Sequence, residues 1–109
     1  MKATYVQKGE VLDYLNQTGD VIEFNTVLVL GNRIVVAGDN IPVNKTGAVH
    51  ATGVFNMKKA ASEEIAVGTD VYYDASNECI TATKDSNVPA GYAVKAAAGT
   101  DASISVKIG

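Results

Sequence analysis

The run Val27-Leu28-Val29-Leu30-Gly31-Asn32-Arg33-Ile34-Val35-Val36 decides how this chain is read. Two apolar, largely β-branched segments flank a two-residue Gly-Asn link, the composition of a tight hairpin. Glycine and asparagine adopt the positive φ angles of such a turn at little cost. The register predicted from the link sets Leu30 opposite Arg33 and Val29 opposite Ile34. Both faces of both segments are apolar, which predicts a hairpin at the centre of the core.

The same grammar extends in both directions. Val11-Leu12-Asp13-Tyr14-Leu15-Asn16 reads as a strand and Gln17-Thr18-Gly19-Asp20 as a turn. Gly38-Asp39-Asn40 is a second turn, and Pro42 restricts its segment to a sheet edge or loop. Gly47 to Met57 reads as further strand, and Lys58 to Glu64 as a single helical turn with Ser62 as its cap. Val71-Tyr72-Tyr73 and Cys79-Ile80-Thr81-Ala82-Thr83 form a second expected hairpin across the loop Asp74 to Glu78, followed by a strand from Tyr92 to Ala97. Ser103-Ile104-Ser105-Val106-Lys107-Ile108 alternates strictly with period two. Turn signals recur about every 8–12 residues, the spacing of a small barrel or sandwich.

The chain also resembles itself. Its only two prolines lie in similar frames, Asn40-Ile41-Pro42-Val43 and Asn87-Val88-Pro89-Ala90. Gly47-Ala48-Val49-His50-Ala51 follows the first frame and Gly91-Tyr92-Ala93-Val94-Lys95-Ala96 the second. Ile22-Glu23-Phe24-Asn25-Thr26 and Ile65-Ala66-Val67-Gly68-Thr69 precede them. The expectation is an all-β fold: a small barrel or sandwich of short antiparallel strands, with a weak internal two-fold repeat (21–51 and 64–96) and at most one short helical turn. Residues 1–8 read as a flexible N-terminal arm and 9–109 as a single β domain.

Composition bounds function. The 109 residues suffice for one core. Nine Lys and Arg against twelve Asp and Glu give a net charge of −3, and the only adjacent basic pair is Lys58-Lys59. Binding to nucleic acid by counterion release calls for a basic stripe that this chain lacks. One cysteine, Cys79, cannot form an internal disulfide and fits a reducing compartment. No segment approaches the ~18 apolar residues that cross a bilayer, and Met1 to Glu10 carries no signal-like apolar region. Synthesis in the cytosol, without membrane contact, is the expectation.

Reactive chemistry is sparse. His50, the sole histidine, would have to serve any Ser-His-Asp triad, and no Gly-x-Ser-x-Gly elbow exists. His50 matches Lys95 in the repeat, which reads as a solvated strand position. Cys79 follows Glu78, whose charge would raise the thiol pKa. Asp70 and Asp74 stand about 13 Å apart on an extended strand, too far for a glycosidase pair. Asp74-Ala75-Ser76-Asn77-Glu78 lacks the calcium-loop spacing, and the phosphate-loop and dinucleotide patterns are absent. No catalytic residue, cofactor or metal site is expected. Tyrosine supplies five of the seven aromatics and suits interfaces; in Tyr72-Tyr73 one ring should enter the core and the other face outward.

The opening Met1-Lys2-Ala3-Thr4-Tyr5-Val6-Gln7-Lys8-Gly9-Glu10, with Asp13-Tyr14, resembles the start of a family of small tailed-phage proteins, the capsid cement or head decoration proteins. The resemblance continues through Val27 to Ile34, Gly53-Val54-Phe55-Asn56-Met57, Ile65 to Asp74, Pro89 to Val94 and Val106-Lys107-Ile108. It implies a β-rich structural protein of the virion that binds the outside of the capsid, with the major capsid protein as partner and, by analogy with other decoration proteins, a homotrimer. Some members carry a label as recombinases related to strand-exchange ATPases. The missing phosphate loop argues against that activity, which leaves a non-catalytic module associated with phage DNA recombination as the alternative. Within the resemblance, Tyr5, Val6 and Gln7 are expected to contact the capsid by adding to an exposed strand edge.

Overall fold

A computed structural model describes residues 1–109. It contains nine strands: β1 (Val11–Leu15), β2 (Val27–Leu30), β3 (Arg33–Ala37), β4 (Thr46–His50), β5 (Gly53–Lys58), β6 (Asp70–Asp74), β7 (Cys79–Thr81), β8 (Val88–Ala93) and β9 (Ser103–Ile108). They form two antiparallel sheets, ordered β1-β4-β3-β2 and β5-β9-β8-β6-β7. The molecule measures 40 × 38 × 22 Å.

The β2–β3 hairpin has the expected register, Leu30 opposite Arg33 and Val29 opposite Ile34, with Gly31 at φ 61° in the turn. Its place differs from the expectation. Only β3 is central: Ile34 and Val36 enter the larger core, while Val35 and Ala37 on its opposite face enter a smaller one with Ile22, Ile41 and Val49. β2 is an edge strand with Val29 and Leu30 exposed. Apolar residues on both faces show that a strand can be covered on both sides, but not which member of a hairpin will be.

The expected helical turn at Lys58–Glu64 does not form. Lys58 ends β5, Lys59 stays extended in a parallel bridge with Ile80, and Ser62 takes φ 60° in a turn. A helix would have removed Lys59 from that bridge. The Lys59–Ile80 bridge draws the two edges of the five-stranded sheet together without a ladder. The molecule is therefore built of two open sheets rather than a closed barrel.

Hydrogen bonds show how the halves repeat. Ile22 and Ile41 exchange both backbone bonds, as do Ile65 and Ala97. Thr26 N–H donates to Glu23 O and Thr69 N–H to Ala66 O; Ala37 N–H donates to Thr26 O and Ala93 N–H to Thr69 O. Strands β1, β2, β3 and β4 thus correspond to β5, β6, β8 and β9, in the same sheet order, and β7 has no counterpart. Ile22–Thr26 and Ile65–Thr69 correspond as their sequences suggest. The proline frames do not. Lys45 N–H on Pro42 O recurs as Asp101 N–H on Ala98 O, so Pro42 matches Ala98. Pro89 lies within β8, beside the register shift between Val71 and Tyr72, the kind of irregularity at which a sheet tolerates proline. The counterpart of His50 is Lys107 rather than Lys95, since these two residues oppose Val11 and Val54. The 13 or so residues that carry β7 and its loops separate the second proline frame from its apparent match.

Two buried polar side chains occupy equivalent posts. Asn16 follows β1 and Lys59 follows β5; their N–H groups bond Lys45 O and Ala102 O, both at 2.9 Å. The Asn16 amide donates to Asp20 O (2.7 Å) and Ile41 O (2.8 Å). Lys59 Nζ donates to Ala60 O (2.8 Å) and to Glu63 O, four residues ahead as Asp20 is for Asn16. Each copy thus ties the turn after its first strand to the interior with one side-chain donor.

Candidate functional site

The side chains with reactive potential are scattered. His50, on β4, is half-buried, with its ring 5.7 Å from that of Phe55 at 46°; its Nε2 lies close to Gly38. No hydroxyl or carboxylate bonds to it. Cys79 opens β7 and is buried. Burial, with Asp74 adding to it, raises its thiol pKa and keeps it protonated at neutral pH. The direction is the one the sequence suggests, but the acidic neighbours behind it are Asp74 and, to a lesser degree, Glu63 rather than Glu78, with Lys58 acting against them.

Asp70 and Asp74 sit at opposite ends of β6. Asp74 is engaged locally: Oδ2 accepts from Asn77 Nδ2 (2.7 Å), and Oδ1 accepts from the N–H groups of Ser76 (3.1 Å) and Asn77 (3.3 Å). The Asn77 side-chain bond, ahead of the backbone ones, lowers its pKa. The four-residue turn Ala75–Glu78 closes with Glu78 at φ 51°, so this carboxylate shapes a hairpin. Glu63 reaches from the β5–β6 connection to accept from Thr81 Oγ1 (2.9 and 3.0 Å) and Ala82 N–H, clasping β7 to the sheet.

The widest cleft, about 500 Å³, lies between the β2–β3 turn and β8, bounded by Leu30, Arg33, Ile34, Ala90 and Gly109. Arg33 is its only titratable side chain. Gly91 faces it at φ 143°, against the Lys107 carbonyl, where a side chain would collide. What this arrangement offers a partner is surface and strand edge.

Tyr5, Val6 and Gln7 all lie before β1 in an exposed segment without secondary structure. Tyr5 is 78% and Val6 86% exposed. Tyr73 packs against the larger core, and Tyr72, its neighbour across the pleat, is half-buried on the other face. Tyr14 covers the smaller core. Tyr92 is exposed on the outer face of the five-stranded sheet, with Lys107 Nζ 5.9 Å from its ring centroid. Val54 pairs with Lys107 and Lys107 with Tyr92, which gives that face a mixed apolar and basic row. Two surfaces escape the sequence reading, this row and the β2 edge. Pairing between strands distant in the chain creates the row, and an edge has no signature in a hairpin sequence.

The family model of the phage cement proteins matches residues 6–108, nearly the whole chain. No curated protein and no solved structure matches it. The chain belongs to the phage cement protein family, and through it to the structural proteins associated with the phage capsid.

Proposed function

We propose that this protein binds the outer surface of a phage head, through the major capsid protein, and stabilises the shell without catalysing a reaction. The family match over residues 6–108 carries the reading. The fold supports it physically: strands joined by short turns present a pre-formed surface, and little conformational entropy is lost when such a surface binds. Within this reading residues 1–8 act as a flexible arm, and Tyr5, Val6 and Gln7 add to an exposed strand edge of the shell. Many copies of one shell protein suit a symmetric binder, and a homotrimer is the form proposed.

Heads lacking the protein, mixed with it and sedimented, are expected to carry it at fixed stoichiometry and to survive higher temperature or chelator than bare heads. Absence of the protein from the sedimented heads would refute the reading. Removal of residues 2–8 is expected to lower occupancy; unchanged occupancy would exclude the arm as the contact while leaving the decoration role standing.

A further inference from the structure

The two copies differ at one edge. In the second, the sheet continues past β6 to β7, so that Tyr73 opposes Ile80 and Asp74 opposes Cys79. In the first, the sheet stops at β2. Val29 and Leu30, the counterparts of Tyr72 and Tyr73, are 42% and 41% exposed, and the β2 backbone bonds only to β3. β1 and β5 are also edges, but they correspond to each other, so neither shows how the other would be covered. β2 alone has a covered counterpart in the same molecule.

The chain also holds a strand-like segment with no partner. Residues 1–9 make no backbone hydrogen bond and no strand. Tyr5-Val6-Gln7 repeats the order of β7, Cys79-Ile80-Thr81: two apolar residues, then a polar one. We propose that Tyr5–Gln7 of one copy adds antiparallel to β2 of a second copy, with Val6 opposite Leu30 as Ile80 is opposite Tyr73.

The partner must be a second copy. In the second copy Ile80 of the fifth strand bridges Lys59, so Val6 in the matching place beyond β2 of its own chain would lie beside Asn16, the counterpart of Lys59 and six residues from Glu10 along β1, about 20 Å. Glu10 is held beside β1 by the Ala51 N–H on its carbonyl, and Val6, four residues away, reaches at most about 14 Å. Each copy supplies one strand and accepts one, an exchange that closes as a reciprocal dimer or as a ring. The arm is the same one proposed to meet the shell, and the two uses are compatible because a strand has two edges: held on β2, it still presents the other. The inference stands on the internal repeat, and its test needs no heads.

Light scattering of the intact protein is expected to give a whole multiple of 11.3 kDa, falling to one chain when residues 2–8 are removed. Val6→Cys with Leu30→Cys places two thiols at directly opposed strand positions, about 4.5–5.5 Å apart at Cα, within disulfide reach. Mild oxidation should then link chains to one another on a non-reducing gel. A monomeric mass for the intact protein, an oligomer that survives loss of the arm, or a disulfide closing within one chain would each overturn the proposal. The mass comparison decides even if the double variant does not fold.

Discussion

At Asn16 a single amide holds together three segments: it donates to Asp20 O and Ile41 O, and its Oδ1 accepts from Thr18 N–H (3.0 Å) and Thr18 Oγ1 (2.7 Å). The residue is fully buried. Asn16→Ala leaves interior carbonyls unpaired and is expected to lower unfolding free energy by about 2–3 kcal/mol, read from the urea midpoint at unchanged m-value. Lys59 has the equivalent duty with a longer side chain, and its Nζ reaches two carbonyls. Cys79 invites a simple check of a different kind. With its thiol pKa raised by burial, a disulfide reagent at pH 8 should label the native protein far more slowly than the urea-unfolded chain; equal rates would show the thiol to be open and ionised.

Among the elements, β3 carries the greatest structural load. Its two faces enter two cores, so Val36→Ala opens space in the larger and Val35→Ala in the smaller. Each is expected to cost about 2 kcal/mol. Because one rigid strand bounds both cores, either variant should shift a single thermal transition, coincident by fluorescence and far-ultraviolet circular dichroism. Two separated transitions in either variant would show that the cores melt independently. The β6–β7 hairpin depends on its turn. Asp74 has a folded-state pKa below its ordinary value, so its contribution is present above the ordinary carboxylate range and is lost as pH falls through the depressed value. Asp74→Ala should therefore be slightly less stable than the parent at pH 7, with the difference fading in acid. Tyr73 and Cys79 act at the other end. Their raised pKa values, due first to burial, give stability that is fully present below about pH 9 and is lost as pH rises.

The molecule as a whole exposes more surface than its mass requires. A compact chain of this size exposes about 5,700 Å², whereas this one exposes 7082 Å². Much of the excess lies in residues 1–9, which are almost entirely exposed, and in apolar side chains such as Val29, Leu30, Val54 and Tyr92. Exposed apolar surface of that kind, where it gathers into a patch, marks a contact site. Its charge gives no reason to expect a nucleic acid: with a net charge of −3, DNA affinity should be negligible at 150 mM salt in a filter-binding assay.

Local order was open to reading from the residues alone. The Gly31-Asn32 turn, the register it enforces, the second hairpin and the alternation of β9 all follow from contacts between near neighbours, where side-chain period and turn chemistry act directly. The family resemblance was likewise legible, since it lies in the order of motifs along the chain. Placement was not. That β3 is central while β2 is an edge, that Lys58–Glu64 is drawn out to bridge Ile80, and that Pro42 corresponds to Ala98 all depend on which distant strands pair. Such pairing is chosen by the total apolar area covered in the folded molecule, a sum over both sheets that no single stretch of residues contains.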